Sequence, residues 1–247
     1  MSVHKVRYII DPVSACPTGL LVRPGVPSPE CEVDTDFVAA CAMREVFQTA
    51  GAAWPLAFLF EELLAPGELK LVWRGAGPGR GKEMRRAFSG LFGRFFAPAY
   101  LARYHGFTWF VPIDRDPSYV SDRLRVGTIA GSELPDWICG LNAGVAIAEA
   151  KGSHQAKNVT AGGVPGPIKT AERQIGGVMV EQLQPGLGIG TWLPRSVKGW
   201  AVMSRWGIEN PARDAFQYVL DPPTHGEAWP PEGMSSLFRT WRACTSG

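Results

Sequence analysis

Glu133-Leu-Pro-Asp-Trp-Ile-Cys-Gly-Leu-Asn-Ala-Gly-Val-Ala-Ile-Ala-Glu-Ala-Lys-Gly-Ser153 decides how this chain is read. Two apolar runs, Trp137–Cys139 and Val145–Lys151, flank a turn at Gly140–Gly144 that holds two Gly and one Asn. Short apolar runs around such a turn predict a β-hairpin. Asp136 opens its first strand, and Glu149 and Lys151 close its second. Twelve residues separate Asp136 from Glu149, and a turn of about five residues within that spacing sets the two strand ends side by side. Glu149 and Lys151 are two apart, so strand alternation places them on one face. Two charges ending a run that reads as a buried strand are costly to hide without a purpose.

Working outward, Phe107–Ile113 reads as a strand before the hairpin, and Gly199–Ser204 as a late strand. A helix with Met84, Phe88, Leu91, Phe92, Phe95 and Phe96 on one face starts near Glu83. It either ends near Pro98 or continues to Tyr104. Thr170–Ile175 begins another helix, and Asn210–Leu220 reads as a helix with Pro at its first position. Residues 158–167 read as a Gly- and Pro-rich loop. Near the N-terminus, Tyr8–Ile10 is apolar and strand-like, and the rest of residues 1–35 reads as loop. Asp34-Thr35-Asp36 caps a helix carrying Phe37, Val38, Cys41, Val46 and Phe47. A further helix spans about Pro55 to Leu64, and Leu69–Trp73 is a short strand. Residues 74–82, Arg-Gly-Ala-Gly-Pro-Gly-Arg-Gly-Lys, read as a flexible link and the best internal boundary. The chain thus divides into an N-terminal extension (1–80), a core (81–220) and a Pro-rich tail (221–247). The fold class is α/β, a mixed sheet of four or more strands flanked by helices.

Composition supports a packed core: of 247 residues, 45% are hydrophobic and 19% charged. Net charge is +2, from 25 basic and 23 acidic residues, so a nucleic-acid surface would have to be a local patch. The five Cys contain no C-x-x-C, which argues against a closed zinc site or a redox motif and fits reduced thiols. No apolar run is long enough for a signal peptide or a membrane span. The expectation is a cytoplasmic protein with no membrane partner.

Two carboxylates and an ammonium at one edge are the set that phosphodiester hydrolysis needs. The carboxylates suit Mg²⁺, a hard cation that prefers oxygen ligands, with Mn²⁺ as a substitute. The lysine can orient or activate water and offset the charge of the pentacovalent phosphate. Ala150 is small and Gly152 follows, so little bulk is expected to block a nucleic-acid backbone.

Pro135-Asp136, the spacer, and Glu149-Ala150-Lys151 resemble the PD-(D/E)xK motif of the restriction-endonuclease-like nucleases. Val145–Ser153 is similar to the apolar strand ending in E-x-K-G that many members show. The resemblance is tight over about 20 residues and loose over about 130, from Glu83 to Leu220. It implies an αβββαβ core, Mg²⁺ dependence and nucleic-acid cleavage. It implies Asp136 and Glu149 as metal ligands and Lys151 as the catalytic lysine. It also points to an acidic residue on the first core helix, where Glu83 is the candidate metal ligand with Glu45 behind it. On the helix after the lysine strand, Lys169 and Gln174 are candidates to face the nucleic acid.

Basic residues at Arg74, Arg80, Lys82, Arg85 and Arg86, with Arg94 beyond, form a segment able to track phosphates. The solvated-linker reading competes with it. His154 lies just past the motif, where it could touch phosphate. The segment is not a P-loop, which would need Gly at Ala76 and Ser or Thr at Glu83. No G-x-S-x-G frames a serine nucleophile. The expected function is a Mg²⁺-dependent DNA endonuclease of restriction, defence or toxin type, acting as a homodimer or with a partner protein. The alternative is a non-catalytic nucleic-acid-binding or assembly subunit that keeps the fold.

Overall fold

A computed structural model describes residues 3–47, 53–129, 132–141, 144–154, 163–184 and 191–222. The expected tail lies almost wholly outside the described residues, as does the first half, 158–162, of the expected loop at 158–167. In chain order the elements begin with β1 (Val3–Asp11), β2 (Leu21–Arg23), β3 (Val26–Pro27), β4 (Glu30–Asp34), α1 (Thr35–Phe47) and α2 (Trp54–Leu63). Next come β5 (Val72–Trp73), α3 (Gly81–His105), β6 (Trp109–Pro112), β7 (Ser118–Ser121), β8 (Leu124–Thr128), β9 (Trp137–Leu141) and β10 (Gly144–Ser153). The remainder are α4 (Gly166–Gly176), β11 (Val178–Leu183), β12 (Trp192–Arg195), β13 (Lys198–Arg205), β14 (Gly207–Ile208) and β15 (Phe216–Leu220). Seven strands are hydrogen-bonded in the order β4-β1-β15-β13-β10-β9-β6, and four in the order β12-β11-β8-β7. The larger sheet is mixed: β1 runs parallel to β15 and antiparallel to β4. The class is α/β, as expected.

The chain forms two compact units. The first takes residues 1–105, 150–168 and 202–220. Its helix α1 starts where Asp34 Oδ1 accepts from the N–H groups of Asp36 and Phe37, at 3.0 and 3.2 Å. This is the capping expected from the sequence. Its core is aromatic. Trp73, Phe92, Phe96 and Trp206 pack with ring centroids 4.9–5.4 Å apart across the pairs Trp73–Phe92, Phe92–Trp206, Phe96–Trp206 and Trp73–Trp206. The second unit takes residues 106–149, 169–201 and 221–247. It holds the hairpin β9–β10, the strand β6 beside it, and the four-stranded sheet.

Several expectations are corrected. Residues 74–82 are not a boundary but lie inside the first unit. Nor are they a loose link. Gly75, Gly77, Gly79 and Gly81 alternate at positive φ, a conformation that favours Gly. The Gly75 N–H donates to Glu209 Oε2 and its carbonyl accepts from the Asn210 N–H. Asn210–Leu220 is not a helix: Phe216–Leu220 is strand β15, all five residues buried. A run buried on both faces suits a central strand, and parallel pairing with β1 outweighs the helix-start signal of Pro211. Helix α3 takes the longer of its two expected courses, running through Pro98 to His105. Helix α4 begins at Gly166 rather than Thr170. The expected five-residue turn of the hairpin is shorter, since Gly140 and Gly144 belong to the strands. Gly140 serves the sheet instead: a Cβ there would lie 2.2 Å from the Trp109 ring.

Gly152 is also corrected. The absent side chain does not open a path, because the space is filled by α3. A Cβ on Gly152 would lie 1.5 Å from the Ser89 carbonyl oxygen, and one on Gly93 would lie 2.6 Å from the Gly152 nitrogen. Helix and strand therefore touch backbone to backbone beside Lys151. Gly90 lies between Ser89 and Gly93 on the same helix, is exposed, and has open space where its Cβ would be. We expect Gly152→Ala to lower unfolding stability by about 3 kcal/mol or more, since rigid backbone must move. Gly90→Ala should raise it by roughly 0.5–1 kcal/mol, the ordinary helix preference for Ala. Denaturant titration measures both, and equal effects of the two substitutions would rule the contact out.

Candidate active site

The hairpin ladder pairs Gly144 with Leu141 and ends with Ala148 opposite Trp137. One step further, Asp136 meets Glu149. The Asp136 backbone N–H donates to Glu149 Oε2 at 2.8 Å, and the Asp136 carbonyl accepts from the Ile113 N–H at 3.0 Å. Asp136 is thus held from both sides, at the bend just before β9. Glu149 is only 3% exposed. A buried carboxylate needs hydrogen-bond donors, and the Asp136 N–H is one. Directly opposed residues of an antiparallel pair share a face, with Cβ atoms about 4.5–5.5 Å apart. The second unit therefore contains two carboxylate residues at one end of one hairpin, one buried and one half-buried.

Their oxygens are hard donors, suited to Mg²⁺ or Mn²⁺. Mg²⁺ is commonly held by only one or two carboxylates, with water in the remaining positions. Among the described residues no cluster of three or more His, Cys, Asp or Glu is able to hold a metal. Glu83 stands exposed in the first turn of α3, where it favours the helix dipole. Glu45 is occupied otherwise, accepting from Arg94 Nε at 2.7 Å.

Lys151 follows Glu149 by two positions on β10 and is half-buried. Strand alternation directs it to the Glu149 face. Within the first unit, its carbonyl carbon lies 2.8 Å from where a Gly93 Cβ would stand, so the backbone that carries Lys151 rests directly on α3.

The basic segment separates into two groups. Arg74 caps α2, donating to the carbonyls of Leu64 at 2.8 Å and Glu61 at 3.2 Å. Arg94 is committed to Glu45. Arg80, Lys82, Arg85 and Arg86 are exposed on the glycine loop and the first turns of α3, and no carboxylate pairs with them among the described residues. Lys169 is exposed and Gln174 half-buried on α4, in the second unit. His154 is tied into the first unit: its Nδ1 lies 2.9 Å from Ser89 Oγ, and its carbonyl accepts from Arg213 Nη1 at 3.1 Å. Burial, together with Arg85, Arg213 and Arg86 nearby, holds its imidazole below the usual histidine range. Arg213 was not singled out in the sequence: it lies 59 residues from His154, inside a stretch that reads as helix. Ser89 was hidden as a helix-interior residue, with no local signal.

No helix among the described residues is long and apolar enough to cross a membrane. Comparison of the chain with protein-family models, with curated proteins and with solved structures gives no match.

Proposed function

We propose that this protein is a divalent-metal-dependent nuclease of the PD-(D/E)xK kind, with DNA as its favoured substrate and internal phosphodiester bonds as its target. One observation carries the reading: the Asp136 N–H to Glu149 Oε2 bond, 2.8 Å long, which locks the two acidic residues together at the end of the hairpin. The succession α3, β6, β9, β10, α4, β13 supports it. That is helix, three strands, helix, strand, the order the motif's family implies, with β6, β9, β10 and β13 neighbours in one sheet. Two further strand pairs, β7–β8 and β11–β12, are inserted between its members and form the separate four-stranded sheet. The cations at Arg80, Lys82, Arg85 and Arg86, which have no carboxylate partner among the described residues, suit a phosphate backbone.

In this reading Asp136 and Glu149 would hold the cation, which would supply Lewis acidity toward a phosphoryl oxygen. Glu149, buried and donor-bonded, keeps a fixed orientation at no cost at the moment of reaction. The Lys151 ammonium orients the attacking water and counters the negative charge that grows on the phosphate. The water oxygen bonds to phosphorus and gives up a proton to bulk water, the P–O ester bond breaks, and the leaving oxygen takes a proton from bulk water.

Lys151 separates a working nuclease from a retained fold. Lys151→Ala should leave the melting temperature nearly unchanged and slow plasmid nicking in Mg²⁺ by ~10²-fold or more. Lys151→Arg should fail too, because the guanidinium does not give up a proton and is shaped differently. Parallel reactions with plasmid, single-stranded DNA and RNA, in Mg²⁺, Mn²⁺ or EDTA, assign the substrate. Well-folded Lys151→Ala cutting at the wild-type rate would remove the lysine from the mechanism. Absence of cleavage of every substrate in both metals would favour a non-catalytic binding subunit.

A further inference from the structure

The first unit contains an open-mouthed cleft of about 120 Å³. Phe88, Trp206 and Ile208 give it an apolar floor. Its polar lining comes from four residues that are far apart in sequence: Arg85 and Ser89 from α3, His154 after β10, and Arg213 before β15. None of them is Asp136, Glu149 or Lys151, and Arg85 alone is shared with the nuclease reading.

The charges in this lining are one-sided. Arg85 makes one hydrogen bond, donating to the Gly79 carbonyl at 3.3 Å, and Arg213 donates to the His154 carbonyl at 3.1 Å. Neither has a carboxylate partner among the described residues, and no Asp or Glu lines the cleft. Glu209, which follows the lining residue Ile208, is engaged by the Gly75 N–H at 2.5 Å. Ser89 Oγ donates to the Arg85 carbonyl at 2.7 Å, so it accepts from His154 Nδ1–H. That leaves His154 Nε2 as the ring's remaining polar atom. Two guanidinium groups without a carboxylate partner among the described residues repel each other around one cavity, and an anion relieves that repulsion. Guanidinium groups match the geometry of phosphate oxygens. The apolar floor calls for more than a bare inorganic ion.

We propose that this cleft binds a nucleotide phosphate, with the phosphate group held by Arg85 and Arg213 and the nucleoside lying on the floor of Phe88, Trp206 and Ile208. Two sources present this chemistry: a free mononucleotide, and the 5′-phosphorylated end of a strand.

The test is calorimetry or tryptophan fluorescence with the full chain in EDTA, which removes any dependence on a metal. The probes are deoxyadenosine 5′-monophosphate, inorganic phosphate and deoxyadenosine. The mononucleotide should bind saturably and more tightly than inorganic phosphate, and deoxyadenosine should show no binding. Arg85→Ala and Arg213→Ala should each weaken the mononucleotide roughly tenfold or more, the scale of losing a hydrogen bond to a charged group. Arg85 is exposed, so its variant keeps the test valid should Arg213→Ala disturb the fold. Competition by a 5′-phosphorylated oligonucleotide but not its 5′-hydroxyl twin assigns the strand end; competition by neither assigns the free nucleotide. No mononucleotide binding by wild type, equal binding of deoxyadenosine, or unchanged affinity in Arg85→Ala would overturn the proposal.

Discussion

The contact between the Ser89 carbonyl and Gly152 is the constraint on which the first unit's functional residues depend. A helix normally meets a strand through side chains. Here the backbones of α3 and β10 touch, because Gly93 and Gly152 have no Cβ to hold them apart. Any other residue at 152 would place an atom 1.5 Å from a carbonyl oxygen. The close approach has two consequences. The backbone that carries Lys151 is braced against the most extensive helix of the fold. It also brings Ser89 within 2.9 Å of His154, which seats the imidazole beside Arg85 and Arg213.

In the second unit the equivalent restraint is the hydrogen bond from the Asp136 N–H to Glu149. Glu149 is buried, and an ionised carboxylate in that position needs compensating partners. The Asp136 N–H is one of them, and it comes from the residue that would share a cation with it. The same bond that makes Glu149 tolerable therefore sets the spacing of the pair. β10 passes from one unit to the other between Glu149 and Ala150, so the strand itself is the covalent link between the acidic pair and the lysine.

The hairpin was legible because its signals are local: alternation, a turn with Gly and Asn, and charges at the strand ends. α1 was legible for the same reason, through Asp34 and its cap. What could not be read was non-local. Phe216–Leu220 reads as helix or strand alike, and only pairing with β1, some 200 residues away, decides it. Strands β7, β8, β11 and β12 are short and two-sided, with weak periodicity, and their sheet forms between segments far apart in sequence. Gly152 was read as an opening and Gly140 as a turn residue. Both are in fact seats for other groups, Ser89 and Trp109. A glycine's vacancy carries no label of what fills it. Likewise, the basic residues at 74–94 looked like one patch, but Arg74 and Arg94 satisfy a helix end and a glutamate, and only the remainder face outward or into the cleft.

The central claim is that Asp136 and Glu149 form one divalent-cation site. Calorimetric titration of the full chain with Mn²⁺, and with Mg²⁺ in competition, tests it without reference to catalysis. The account predicts one cation bound per chain in wild type and loss of that binding in Asp136→Asn. That substitution keeps the backbone N–H which holds Glu149, and so should leave the melting temperature unchanged. Undiminished binding in Asp136→Asn, or no binding in wild type at millimolar metal, would contradict it.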